Sequence, residues 1–371
     1  MFSREDARLW QTRVSQPLIF SHQMALTALL AARGIVPQAV MGHSVGEYAA
    51  ACAAGVMDLE TGLAIVLRRG ELAQSVRTPG GMAAVLGEEA RVEEAIRDFP
   101  RVSIAAINGQ DSVTLAGEAG ELCIALRHLA EHGMESRPMP VSHAFHCALI
   151  EPVLPAFLAF LQRQSFQRAR LHFLSTALAK YIDTPLERGA EDWPAYFAAQ
   201  TRHAVRFAQA VRAAHETVFL EIAAGPSLAG FGRQIRPQAT WLFAQNGSGE
   251  TPASQEQPLA LALARLFGLG VTLDAHWLAA SPWQPECAPL PRLRQTRQTP
   301  PVAAGMADGV EENANLARAP VLPQDENSMP TPAAQIPDTA LETLIGTQQA
   351  LWERVRDMQR AFVKREAELA R

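Results

Sequence analysis

The residues best suited to chemistry in this chain are Gly42-His43-Ser44-Val45-Gly46. They follow Ala39-Val40-Met41, an apolar run that reads as a strand, and open into Glu47-Tyr48-Ala49-Ala50-Ala51, which reads as a helix. A serine between glycines at a strand-to-helix turn is the pattern of a nucleophile elbow. The turn is sharp and brings backbone close to backbone, which asks for glycine. The helix start behind the serine offers unpaired N–H groups and partial positive charge where an oxyanion would form. A serine also needs a base within hydrogen-bond reach. Val141-Ser142-His143-Ala144-Phe145-His146 supplies two histidines in one short segment. Alone, a Gly-x-Ser-x-Gly also occurs as a plain turn, and an isolated histidine is more often a packed core residue.

The 371 residues allow about two domains. A hydrophobic fraction of 48% is enough to bury a core around such a site. The net charge of −5 gives no global attraction to nucleic acid or anionic membrane, so neither is expected as a partner. Cys52, Cys123, Cys147 and Cys287 show no Cys-x-x-Cys spacing, and the ten histidines show no His-Glu-x-x-His set. Free thiols and no metal are expected. The first residues are polar and charged, and the apolar stretches over 148–161 and 258–273 are interrupted by Glu151, Pro152, Pro155 and Arg265. The expectation is a cytoplasmic protein.

The elements that position the site read as α/β. Residues 16–33 have helical apolar spacing, closed by Gly34 as a C-cap. Residues 80–140 read β-α-β-β-α-β, with strands over 82–86, 102–107, 112–116 and 134–139 and helices over 88–99 and 120–132. Asn108-Gly109 marks a hairpin. This is expected to be a ferredoxin-like small subdomain, 79–140, inserted into a larger subdomain made of 1–78 and 141–245. A strand over 218–222 and a helix over 259–269 follow, the latter in a post-domain segment, 246–297. Seven prolines between residues 298 and 337 predict a disordered linker. Residues 338–371 carry an apolar seam at threes and fours and predict an amphipathic helix, solvated or partner-binding.

Taken in order, five motifs resemble the acyltransferase domain of polyketide and polyunsaturated fatty-acid synthases, similar also to malonyl-CoA:acyl-carrier-protein transacylases. They are Gly42-His43-Ser44-Val45-Gly46-Glu47-Tyr48, Arg68-Arg69-Gly70, Asn108-Gly109, His143-Ala144-Phe145-His146, and Val205-Arg206-Phe207 with Leu220-Glu221. The resemblance implies a hydrolase-like three-layer parallel-sheet large subdomain. It implies Ser44 as nucleophile, His146 as base, Arg69 as the cation for the free carboxylate of a malonyl group, and His43, His143 and Phe145 at the substrate. It implies the Val45 N–H at the oxyanion and the backbone carbonyl of Gln200 orienting His146. His-Ala-Phe-His resembles the malonyl-selective pattern, because a phenyl ring crowds an α-methyl branch. The implied partners are an acyl-CoA, an acyl carrier protein bearing phosphopantetheine, and other synthase domains; no cofactor is implied. The chain departs from the family at Ala223-Ala224 and Ala204. It also starts too late to hold the family's first strand and Gly-Gln-Gly-x-Gln loop, so it is expected to be N-terminally truncated. Two alternatives stay open: an impaired fragment or scaffold segment, and an α/β serine hydrolase, which would need an acidic partner for its histidine.

Overall fold

The helix that leads to the elbow, α1 (Thr12–Ala31), starts one turn before the expected position. Its extra turn is buried: Thr12 and Gln16 pack with Phe20 on the face turned toward α3 (Leu59–Gln74). Tertiary burial thus carries the helix past Pro17, which would otherwise favour a helix start. Gly34 ends it at φ +79°, as expected of a glycine cap. The structure, a computed structural model, describes residues 11–141, 143–182, 192–246 and 252–273.

Strand β1 (Ala39–Met41) runs into the elbow and α2 (Gly46–Ala53). Helix α3 begins where the Asp58 carboxylate accepts the Thr61 N–H at 2.8 Å. The small subdomain then follows as β2 (Gly80–Leu86), α4 (Glu89–Ala95), β3 (Val102–Ile107), β4 (Ser112–Glu118), α5 (Ala119–Glu131) and β5 (Glu135–Pro138). Its sheet has the order β3-β4-β2-β5, antiparallel throughout, over a core that includes Val85, Val113, Leu115 and Leu129. This is the ferredoxin-like order. At the hairpin, both the Asn108 and Gly109 N–H groups donate to the Ser112 carbonyl. Helix α4 stops at Ala95, short of the expected 99, because the chain turns there to let Val102 N–H reach the Phe99 carbonyl.

A 3₁₀ turn (Ala148–Val153) and α6 (Leu154–Leu161) return the chain to the large subdomain. There follow β6 (His172–Ser175), β7 (Lys180–Tyr181), α7 (Trp193–Arg202), α8 (Phe207–Ala213), β8 (Val218–Glu221), α9 (Ser227–Ile235), β9 (Thr240–Phe243) and α10 (Pro252–Gly268). Phe20, Tyr48, Ile65, Phe157, Phe173 and Phe197 form the core beneath the elbow. The two subdomains are joined by a bridge of paired backbone: Ile107 N–H to Val205 carbonyl at 2.8 Å, and Val205 N–H to Ala105 carbonyl at 2.9 Å.

Of the three-layer parallel-sheet arrangement expected for the large subdomain, the structure shows two parallel strand pairs. Among the described residues there are two separate sheets, β1-β6-β7 and β8-β9. β1 with β6 and β8 with β9 are parallel, but β1 and β8 are not bonded to each other; both line one groove. The linker over 298–337 and the helix over 338–371 lie outside the described residues, as does the post-domain segment apart from 246 and 252–273.

Candidate active site

Ser44 sits at φ +52°, a left-handed conformation rare for a side-chain-bearing residue and costing about 1–3 kcal/mol. Three contacts hold it there. The Gly46 N–H donates to the His43 carbonyl at 2.9 Å, and the Gln200 side-chain amide donates to the Ser44 carbonyl at 2.9 Å. The third is a clamp built on Glu47, which is wholly buried. Its carboxylate accepts the Thr176 N–H and hydroxyl at 2.7 and 2.6 Å and the Tyr196 hydroxyl at 2.5 Å, while the Thr176 hydroxyl also reaches the Gly42 carbonyl at 2.7 Å. Gly42 is demanded by this crossing: a Cβ there would lie 2.2 Å from the Glu47 nitrogen. Gly46 is not demanded in the same way, since a Cβ would meet only the Gln23 side chain at 3.4 Å.

His146, also left-handed at φ +57°, brings Nε2 to 2.7 Å from the Ser44 hydroxyl across 102 residues of sequence. Its Nδ1 lies 2.8 Å from the His203 carbonyl. A carbonyl only accepts, so Nδ1 carries the proton and Nε2 of the neutral ring accepts from Ser44. The ring's main orienting partner is therefore the carbonyl of His203. This corrects the expectation for Gln200, whose own backbone carbonyl is a lesser partner and whose side chain grips the elbow instead. Helix α7 ends at Arg202, so the His203 carbonyl is left free of the helix ladder and can face the imidazole. Burial, and then the nearby Arg69 cation, push His146 down to about 3, partly offset by the His203 carbonyl. The base is neutral across the physiological range.

Arg69 is buried on α3. Its NH1 donates to the Gln16 side-chain oxygen Oε1 at 2.5 Å and its Nε to the Thr201 hydroxyl at 3.3 Å. The Tyr48 and Phe145 rings lie 5.6 and 5.7 Å from its central carbon. Among the described residues its buried NH2 has no hydrogen-bond partner and no carboxylate bridges to it. Burial lowers the guanidinium pKa, yet an arginine so placed stays charged. A buried cation with a vacant donor calls for an anion.

His43, expected at the substrate, has its Nε2 2.8 Å from the Asn108 Oδ1, and Asn108 in turn donates to the Thr114 hydroxyl at 3.1 Å. Its polar contact ties the elbow to the small-subdomain hairpin. Phe145 is half-buried beside Arg69, and His143 is half-buried with its pKa lowered by burial. The Val45 N–H, at the start of α2, has no acceptor among the described residues. Gln16, Thr201, Glu47, Thr176 and His203 were missed as site residues. Their signal was weak: single polar residues whose importance lies in distant partners. No group of His, Cys, Asp and Glu among the described residues could hold a metal, Cys52, Cys123 and Cys147 are free thiols, and no described helix is long and apolar enough to cross a membrane.

An elbow serine on a neutral imidazole beside a buried cation, on an α/β scaffold, is the layout of a serine acyl-transfer site. Comparison with known proteins places the chain more closely. Residues 2–250 match the Acyl transferase domain family, and the chain belongs to that family of enzymes. It is similar to polyketide synthase GfsA of Streptomyces halstedii, 31% identical over 298 residues, which is 78% of this chain and 4% of that protein. Among solved structures, the acyltransferase domain from the second module of the salinomycin polyketide synthase is 30% identical with a TM-score of 0.68, covering 78% of this chain and 68% of that one. The malonyl CoA-acyl carrier protein transacylase of Clostridium perfringens shares the fold, with a TM-score of 0.65 at 24% identity, over 73% of this chain and 84% of that one. The chain thus spans a small fraction of the synthase it matches.

Proposed function

We propose that this chain moves a malonyl group from coenzyme A to the phosphopantetheine thiol of an acyl carrier protein, through an ester on Ser44. The observation that carries this reading is the vacant, buried NH2 of Arg69 in the same site as the Ser44–His146 pair. A guanidinium holds a carboxylate through two parallel bonds, so a thioester with a free carboxylate at its far end fits the vacancy.

The Ser44 oxygen attacks the thioester carbonyl as its proton passes to His146 Nε2. The Val45 N–H donates to the resulting oxyanion. Collapse breaks the C–S bond, and the imidazolium gives its proton to the departing thiolate. In the second half the carrier thiol gives its proton to Nε2 and attacks the ester, and collapse returns the proton to Ser44. The His203 carbonyl stabilises the imidazolium in both halves without taking a proton. A malonyl carboxylate on Arg69 would cancel a charge that depresses His146, so the base strengthens when substrate binds. Phe145 supports a preference against an α-branch, worth about 1–3 kcal/mol. An orienting carbonyl in place of a carboxylate disfavours the hydrolase alternative.

Incubation with malonyl-CoA followed by intact-mass measurement tests this reading. One malonyl adduct is expected, absent in Ser44→Ala. An adduct from acetyl-CoA as readily as from malonyl-CoA, or one that persists in Ser44→Ala, would overturn it.

A further inference from the structure

The last turn of α7 and the residue after it reach every working group of the site. The Gln200 side-chain amide donates to the Ser44 carbonyl at 2.9 Å, and the His203 carbonyl lies 2.8 Å from His146 Nδ1. Between them in sequence, the Thr201 hydroxyl accepts the Nε–H of Arg69 at 3.3 Å. Nucleophile, base and cation come from three separate segments, and one short stretch of chain holds all of them.

Thr201 is buried, and its hydroxyl carries one proton and two lone pairs. The proton goes to the Phe197 carbonyl at 2.9 Å, one turn back on the same helix. Both lone pairs are therefore acceptors. One takes the Arg69 Nε–H. The other faces the Tyr48 hydroxyl, 3.3 Å away, which can only donate to it. Tyr48 is itself fixed, since its ring stacks on Phe197 with centroids 4.7 Å apart. The Thr201 oxygen is thus saturated and held from three sides.

Nε bears a single hydrogen, so Thr201 closes the Nε–NH2 edge of the guanidinium. With Gln16 Oε1 on NH1, the planar group is pinned at two corners, and its remaining donors lie on NH1 and NH2. An arginine free to change rotamer could follow a longer acyl chain; one pinned at Nε and NH1 cannot. We propose that Thr201 is a positioning residue that holds Arg69 at one depth from Ser44, and so selects a malonyl thioester over succinyl, its homologue with one more methylene. The extra methylene either carries the carboxylate past NH2 or lifts the thioester carbonyl off Ser44. The choice of substrate rests on the acyl-transfer reading, while the hold of Thr201 on Arg69 does not.

The test uses the full 371-residue chain with Thr201→Val, which keeps the shape and removes the oxygen, and Thr201→Ser, which returns the oxygen. The NMR signal of the Arg69 Nε–H, assigned by its loss in Arg69→Lys, should exchange slowly with water in the parent protein. Thr201→Val should speed that exchange at least about tenfold, and Thr201→Ser should restore it. Thr201→Val should also raise the malonyl-CoA KM about tenfold with a smaller effect on kcat, and lower the malonyl-over-succinyl ratio of kcat/KM about tenfold, both recovered in Thr201→Ser. Unchanged Nε–H exchange in Thr201→Val would overturn the positioning role. Faster exchange with an unchanged malonyl-over-succinyl ratio would overturn the selectivity. An equal fall in kcat/KM for malonyl-, succinyl- and acetyl-CoA would make Thr201 a structural residue and overturn the proposal as well. Should the parent protein form no malonyl ester, the acyl-transfer reading falls and the selectivity with it, and Nε–H exchange still decides whether Thr201 holds Arg69.

Discussion

Nδ1 of His146 points at the carbonyl of His203, 2.8 Å away, and this contact decides which nitrogen faces Ser44. The orienting group is backbone, so it carries no titration of its own. The pH behaviour of the site should belong to His146. Its pKa lies at about 3, so serine acylation should hold its rate as pH falls from 7 to 5, where an ordinary imidazole at 6.5 would already have lost most of its base form. The pH profile of acylation at sub-saturating malonyl-CoA, which reports the free protein, checks this across that range. A midpoint near 6.5 in the free protein would contradict the burial argument.

The same depression has a stability consequence of definite sign. The unfolded chain binds a proton at His146 below about 6.5, and the folded one does not until about 3. Between those values the unfolded state holds more protons, so stability falls as pH drops, by up to about 1.4 kcal/mol per pH unit from this residue. His146→Gln should flatten the acid slope of denaturant midpoints measured from pH 6.5 downward. An unchanged slope would show that other groups carry it.

Arg69→Ala should lower malonyl transfer by about 100- to 1,000-fold, the worth of two charge-assisted hydrogen bonds at ~1.5–3 kcal/mol each, incompletely additive. Acetyl transfer should change little. Arg69→Lys keeps the charge but not the paired geometry, and should recover only part of the loss. Gln16→Ala leaves NH1 unpaired as well and should raise the malonyl-CoA KM about tenfold. Steady-state kinetics with both thioesters check the set.

Gly42→Ala places a Cβ against backbone, 2.2 Å from the Glu47 nitrogen, where no side-chain rotamer can give way. It should destabilise the fold by about 3 kcal/mol or more, read as a lowered denaturation midpoint. Gly46→Ala, whose Cβ has room, should cost less than about 1 kcal/mol. Equal losses at the two positions would contradict the crossing geometry.

Glu47→Gln replaces one acceptor oxygen by a donor amide, facing either Tyr196 or Thr176, which already donate there. About 1–3 kcal/mol of stability should go, with slower labelling of Ser44 by a fluorophosphonate as the elbow loosens. Glu47→Ala should be worse, because the Thr176 N–H, the Thr176 hydroxyl and the Tyr196 hydroxyl then face an empty space. Thermal denaturation and labelling rate, measured on the same samples, separate folding from positioning.

Much of this protein was legible along the chain. The elbow, the Asn108-Gly109 hairpin and the strand–helix order of residues 80–138 are written in short-range signals: glycine spacing, turn residues and apolar periodicity, each acting within a few residues. The pairing of Ser44 with His146 was reachable because both carry their chemistry in their residue type. Tertiary structure alone decided what those signals do not encode. It chose His203 over Gln200 behind the imidazole, sent the Gln200 side chain to the elbow, and set Gln16 on Arg69 while leaving NH2 bare. Those contacts join residues 53 to 156 positions apart, and any carbonyl or amide can serve as partner. The break between β1 and β8 is of the same kind, since a strand's pattern declares that it is a strand but not which neighbour pairs with its edge.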